Sequence, residues 1–246
     1  MIAAEDTRIT GILLEHFAIK TPMMSLQKYN ESQRCQQILQ RIQSGQDIAL
    51  VCDAGTPNIS DPGAYLIQFL RQNSISIIPI PGPTSIAALL SISGILANTF
   101  YFGGFFPRTE SAYQLNMPTW RTLQCPLVFF ESAKRIKRSL GWLYRDYPAL
   151  QVCIGKELTK PYEQVFVGPL HEIMSQKEWA FTLKGEFSII INDLNPTRDC
   201  GKTQEWLNQF TDLGLTLGQS LAIGKKLDIP KNMIKTHYYS GGDSHD

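Results

Sequence analysis

Asp53-Ala54-Gly55-Thr56-Pro57-Asn58-Ile59-Ser60-Asp61-Pro62-Gly63 gathers two carboxylates, two hydroxyls, two glycines and two prolines within eleven residues, directly after the apolar run IALVC (48–52). In open α/β sheets, ligands bind beyond the carboxyl ends of the strands, where Asp53 falls. Gly55 permits a positive φ or a close ligand approach, Pro57 and Pro62 stiffen the excursion, and Asp61-Pro62-Gly63 leads back into a helix. The loop has the makings of a ligand cradle; the plainer alternative is that Asp53 and Asp61 only satisfy nearby backbone N–H groups. A second loop has the same design. SIIPI (76–80) runs into Pro81-Gly82-Pro83, and Thr84-Ser85 opens the helix IAALLSI with free N–H donors and hydroxyls. Alone, PGPTS is an ordinary N-cap; two such loops can face one pocket.

The elements that must carry these loops alternate. Residues 5–17 place Ile9, Leu13 and Phe17 on one helical face, and residues 31–43 do so with Ile38, Leu39 and Ile42, with Asn30 as N-cap and Gly45 as stop, so both are expected to be packed amphipathic helices. IALVC (48–52), SIIPI (76–80), LVFFE (127–131), QVCI (151–154) and FSIII (187–191) are expected strands, continuously apolar as strands buried on both faces should be. The fold class is α/β, with a largely parallel sheet in the first hundred residues. Strand spacing loses its regularity from Phe100, which sets a domain boundary near 95–100. After Asn195 the pattern is helical, ending in a polar tail GGDSHD expected to be disordered.

Composition bounds the function. The 246 residues are 43% hydrophobic and 18% charged, enough for two domains of ordinary size. MIAAEDTR lacks the basic start of a signal peptide, and the most apolar region, 75–106, is cut by Pro79, Pro81 and Pro83, so no membrane span is expected. The five cysteines are odd in number and never nearer than 17 residues, which gives no zinc spacing or evident disulfide framework and fits a reducing cytoplasm. Residues 101–160 hold nine Lys/Arg against four Asp/Glu, making the middle of the chain locally basic although the net charge is only +1.

DAGTPNISDPG followed by PIPGPTSIAALLSISG, with EDTRITGILLEHF upstream and GGFFPR, FFESAKRI, KELTKPYEQ and KGEFSIII downstream, closely resembles the ribosomal RNA small subunit methyltransferase I family of the tetrapyrrole-methylase-like class. The resemblance runs in order from residue 2 to about residue 240, and TLGQSLAIGKKLDIPKNMIKTHYY resembles that family's small C-terminal helical module. It implies two α/β domains of the tetrapyrrole methylase type over 1–97 and 98–195 with the cofactor cleft between them, a helical module over 196–240, and a tail over 241–246. It also implies a cytoplasmic homodimer using S-adenosylmethionine to methylate the ribose 2′-hydroxyl of a cytidine in 16S rRNA of the small ribosomal subunit. Asp53, Ala54, Gly55 and Thr56 in the first loop and Pro83, Thr84 and Ser85 in the second match positions where the class contacts the methyl donor, and Phe130 and Glu131 would close the pocket from the second domain.

A 2′-hydroxyl is a poor nucleophile, so the enzyme must align it with the sulfonium methyl and help remove its proton, worth roughly 10² to 10⁴ in rate. No metal is required. Glu131, Lys156, Glu157 and Glu186, each in a family-like stretch, are the candidates for base or orienter; a surface ion pair is the alternative for each. Arg108, Lys134, Arg135, Lys137 and Arg138 suit a phosphate-contacting strip with Arg121 and Arg145 near them in sequence, against the ordinary alternative of a solvated helix face.

Departures from the family bear on this. Its members begin about forty residues earlier with an apolar strand and a TPIGNL-type loop, so that Met1 would stand inside the second strand and a gap or sheet edge is expected in the first domain. Histidines that members often carry stand here as Ile9, Gln27, Tyr29 and Lys134, and RTESAYQLNMPTWR is less basic than its usual counterpart. Two other readings stay open: a truncated, non-catalytic RNA-binding remnant, and methylation of a tetrapyrrole-like small molecule. The absence of a G-x-G-x-x-G opening a helix after a strand counts against a nicotinamide oxidoreductase.

Overall fold

β1 (Ile2–Ala4) lies between β2 (Met23–Ser25) and β3 (Ala49–Val51) in a three-stranded, wholly parallel sheet. A computed structural model describes residues 1–95, 98–176, 184–192, 194, 200–227, 229 and 231–240 of the chain. The expected domain ends at 97 and 195 and the expected tail 241–246 lie outside the described residues.

Each parallel strand needs a crossover, and the helices supply it. α1 (Thr7–His16) starts at Asp6, whose carboxylate accepts the N–H of Arg8 at 2.9 Å. α2 (Glu31–Gln43) buries Cys35, Ile38 and Leu39 against Leu26, and ends before Gly45, whose φ of 86° favours a residue without Cβ. Its expected N-cap, Asn30, occupies that position but turns Oδ1 to the N–H of Gln27 at 2.8 Å. α3 (Ala64–Gln72) buries Leu66 and Leu70 in the same core, and the buried Glu31 accepts the N–H of Leu66 at 2.8 Å, satisfying a free donor in the first turn of α3.

Two expectations are overturned here. SIIPI (76–80) forms no strand: Ile75 and Ile77 pack on the α2–α3 core while Ile78 and Ile80 are 77% and 81% exposed. The side-chain alternation is strand-like, but no ladder among the described residues includes it. In α1 the packed face is not Ile9, Leu13 and Phe17, which are exposed, but Thr10 and Leu14. Leu14 joins Ile2 and Ala4, so contact with β1 decides which side of the helix is covered.

α4 (Ser85–Ile92) leads to the second sheet, with strand order β4 (Tyr101–Phe105), β5 (Leu127–Ser132), β8 (Glu186–Ile191), β6 (Gln151–Lys156) and β7 (Gln164–Pro169). Only β4–β5 is parallel. α5 (Glu110–Thr122), α6 (Ile136–Asp146) and α7 (Leu170–Ser175) cover one face, where Phe106, Tyr113, Trp120, Phe129 and Leu140 form an aromatic-rich core. On the other face Ile86 and Leu89 of α4 meet Val128, Cys153 and Ile190, which joins the second loop's helix to the second sheet. α8 (Cys200–Asp212), α9 (Leu217–Lys226) and α10 (Lys231–Ser240) form a separate helical cluster around Leu207, Phe210, Ile229 and Ile234.

Candidate active site

Between the two sheets lies a cavity of about 540 Å³, within the usual range for a small-molecule site. Asp53, Ala54, Gly55, Thr56, Pro83, Thr84, Ser85 and Phe130 all line it. The loops interlock: Thr56 Oγ1 donates to the carbonyl of Pro83 at 3.0 Å, and Gly55 takes a φ of 76° with its Cα hydrogen toward that same carbonyl. Thr84 has extended backbone and no side-chain capping bond, so the first N–H groups of α4 stay available.

One wall is acidic. Asp53 Oδ1 accepts the N–H of Asp6, and Glu5 Oε2 accepts the N–H of Asp53, both at 3.2 Å. Burial pushes the Glu5 carboxyl above its ordinary 4.5, reinforced by the negative charges of Asp61 and Asp53. Burial likewise raises Asp61 above 3.8, and the half-buried Cys52 thiol beside Asp61 is pushed up to about 11. Glu5 and Asp61 were not singled out as ligand contacts in the sequence, yet both line the cavity; for Glu5 the available signal was its place just past the apolar Ile2-Ala3-Ala4.

The facing wall is where three strands of the second sheet end. β5 and β6 both run antiparallel to β8, so the carboxyl ends of β5 and β6 flank the start of β8. Glu131 is 1% exposed and fully engaged: Oε1 takes Arg135 Nη2 at 2.6 Å and the N–H of Ser132 at 2.7 Å, and Oε2 takes Ser139 Oγ at 2.6 Å. Lys156 is not among the residues lining the cavity and donates to Gln164 Oε1 at 3.1 Å. Glu157 and Glu186 do line it, and Lys160 lies between them, its Nζ 3.0 Å from Glu157 Oε1 and 2.9 Å from Glu186 Oε2. Burial tends to raise Glu157, but the N–H of Glu186 and the Lys160 ammonium outweigh it and hold the carboxyl below 4.5. Burial tends to lower Lys160; hydrogen bonds to Glu186 and Glu157 prevail and hold it above 10.5. Sequence reasoning passed over Lys160, although glutamates three residues to either side were a visible cue.

The basic strip divides. Arg108, Lys134, Lys137 and Arg138 are exposed, with Arg138 Nη2 donating to the Arg108 carbonyl at 3.0 Å and its guanidinium 5.4 Å from the Trp142 ring centroid. Arg135 is turned inward to Glu131. Arg121 donates to the Tyr147 hydroxyl, and Arg145 pairs with Glu110 and Asp146. No group of three or more potential metal ligands occurs among the described residues, and no helix among them is long and apolar enough to cross a membrane.

Residues 1–174 match the family model for tetrapyrrole (corrin/porphyrin) methylases. A ribosomal RNA small subunit methyltransferase I from Xylella fastidiosa is 39% identical over 193 residues, covering 78% of this chain and 71% of that one. Its namesake from Synechocystis is 38% identical over 240 residues, covering 95% and 86%. Among solved structures, a diphthine synthase superposes with a TM-score of 0.55 at 11% identity, covering 74% of this chain and 72% of that one. A cobalt precorrin-4 methyltransferase superposes with a TM-score of 0.53 at 16% identity, covering 78% and 82%. The fold is thus shared with these two enzymes, whereas the sequence likeness reported is to ribosomal RNA small subunit methyltransferase I proteins. The chain belongs to the ribosomal RNA small subunit methyltransferase I family of the tetrapyrrole (corrin/porphyrin) methylases.

Proposed function

We propose that the chain is an S-adenosylmethionine-dependent methyltransferase acting in the cytoplasm on the ribose 2′-hydroxyl of a cytidine in 16S rRNA of the small ribosomal subunit. The observation that carries this is the cleft between the sheets, which unites both strand-end loops, in a chain 39% identical to a ribosomal RNA small subunit methyltransferase I.

The donor set suits S-adenosylmethionine. Glu5, Asp53 and Asp61 form an anionic wall for a cationic ligand, while Ile59, Ala88, Phe105, Phe130 and Leu158 offer apolar surface for an adenine ring. Asp53 and the free N–H groups at the start of α4 would hold its polar groups. Such a donor supplies a methyl already activated on sulfur, and the protein's part is alignment and proton removal. Glu186 is the carboxylate we assign as proton acceptor, since Glu131 has both oxygens engaged and Glu157 is tied to the backbone of Glu186. Arg108, Lys134, Lys137 and Arg138 would meet RNA phosphates.

A homodimer is part of this reading. Ile9, Ile12, Leu13 and Phe17 leave an apolar stripe on α1, with Ile12 71% and Phe17 62% exposed, of the kind that marks a protein contact. Light scattering should give twice the chain mass, falling to the single mass for Leu13→Glu.

The function is tested by offering methyl-labelled donor with small ribosomal subunits in one reaction and uroporphyrinogen in another. Label in rRNA alone supports the proposal; label in the tetrapyrrole alone supports the small-molecule alternative.

A further inference from the structure

We propose that Lys160 is a positioning residue for the methyl-transfer step, holding the Glu186 carboxylate in one place in the cavity wall. The inference rests on the methyltransferase reading above and names a residue in that site which the reading does not require.

The seat of Lys160 is built by the loop between β6 and β7. Glu157 and Thr159 take φ values of 49° and 65°, which side chains other than glycine rarely adopt. The strain is held by a closed set of bonds. The N–H of Glu157 reaches the Glu186 carbonyl at 3.0 Å, that of Lys160 the Glu157 carbonyl at 3.0 Å, and that of Glu163 the Lys160 carbonyl at 3.1 Å. Glu163 Oε2 then accepts the N–H of Thr159 at 2.6 Å. From the other strand, the N–H of Glu186 reaches Glu157 Oε1 at 2.8 Å. Gly185 has a φ of 98°, and a Cβ there would lie 2.5 Å from Glu157 Cγ, so only glycine lets the two strand ends close.

A loop that bends two non-glycine residues into the left-handed region to place one lysine over two carboxylates does more than turn the chain. Glu186 sits at a strand terminus with its side chain 73% exposed, so by itself it would sample many rotamers. The ammonium restricts them. The charged groups facing Glu186 are Lys160, Glu157 and, across the cleft, Asp61. Lys160 is the cation in direct contact with Glu186, while Lys156 and Lys28 act at longer range on Glu157 and Asp61. In the step itself, Glu186 takes the 2′-hydroxyl proton as the oxygen lone pair forms the O–CH₃ bond and the C–S bond breaks toward sulfur. A neutral thioether and a protonated Glu186 remain. Lys160, held protonated, is not the base.

The test is methyl transfer to small ribosomal subunits by Lys160→Met, Lys160→Arg and Glu186→Gln in the full chain, with kcat and KM measured for each. Lys160→Met is expected to lose about tenfold to a hundredfold in kcat with KM for the donor within about threefold, because the carboxylate it orients is no longer held in place. Lys160→Arg should restore most of the rate. Combined with Glu186→Gln, Lys160→Met should add less than about twofold. An unchanged kcat, a loss confined to KM, or full additivity with Glu186→Gln would overturn the assignment. Should Lys160→Met fail to fold, Glu186→Gln and Lys160→Arg decide: an unchanged kcat after loss of Glu186, or a kcat for Lys160→Arg as low as that of Glu186→Gln, overturns it. No transfer by the unaltered chain, with donor still bound, overturns the methyltransferase reading and this assignment with it.

Discussion

Asp53 and Glu5 clamp the ends of two neighbouring parallel strands: Glu5 Oε2 accepts the N–H of Asp53 at 3.2 Å while Asp53 Oδ1 turns back to the N–H of Asp6 at 3.2 Å. The pairing fixes the Asp53 carboxylate in the cavity wall, where it suits a cationic ligand or a ribose diol.

Asp53→Ala should therefore weaken donor binding while costing only about 1 kcal/mol of stability, the worth of an ordinary hydrogen bond. Calorimetric titration with S-adenosylmethionine, beside thermal unfolding, checks both; unchanged affinity in a folded variant removes Asp53 from the site.

Arg135→Ala is expected to behave as a stability variant. It strips the guanidinium from a carboxylate that is 1% exposed, and breaking a buried pair from one side costs about 3–5 kcal/mol. Urea unfolding should show this as a large fall in midpoint; a surface-like loss of a few tenths of a kcal/mol would contradict the buried pair.

Arg108, Lys134, Lys137 and Arg138 replaced together by alanine should leave unfolding nearly unchanged and weaken RNA binding. The slope of log K against log salt should flatten by about 0.7 for each single-strand phosphate that these cations no longer neutralise. An unaltered slope in filter binding would assign these charges to solvation.

The ion pairs of Lys160 carry a pH signature. Glu157 is held below its ordinary 4.5, so its stabilisation is fully present above that value and disappears as pH falls through the lower folded value. Lys160 is held above 10.5, so its share is present below that value and disappears as pH rises through the higher folded one. The unfolding midpoint of the unaltered chain should exceed that of Lys160→Met by a margin that is constant between about pH 6 and 9 and shrinks at both extremes. A margin that varies steadily across neutral pH would contradict the geometry.

What was legible in the sequence follows from what each element depends on. α2 could be placed over 31–43 because its stop at Gly45 and its Ile38–Leu39–Ile42 stripe are local and its partner surface lies within the same unit. The two loops were legible because glycine, proline and aspartate at strand ends have few uses. SIIPI has the composition of a strand, but strand formation needs a neighbour and composition carries no information about one. The face of α1 was misjudged for a related reason: Ile9, Leu13 and Phe17 are the more apolar stripe, whereas β1 selected the side bearing Leu14. Arg135 and Lys160 show the limit for charges. Both look like surface cations in sequence: the Arg135–Glu131 pair is four residues apart but its burial depends on the packing of the second sheet, and only the antiparallel register of β8 with β5 and β6 brings Glu186 to Lys160.

Ribose methylation is tested most directly by nucleoside analysis of small-subunit rRNA after reaction with the purified chain and S-adenosylmethionine. A cytidine 2′-O-methyltransferase should leave one new 2′-O-methylcytidine per subunit and no base-methylated nucleoside. Methyl groups found only on bases, or an rRNA left unchanged while donor binds in the cleft, would contradict that activity.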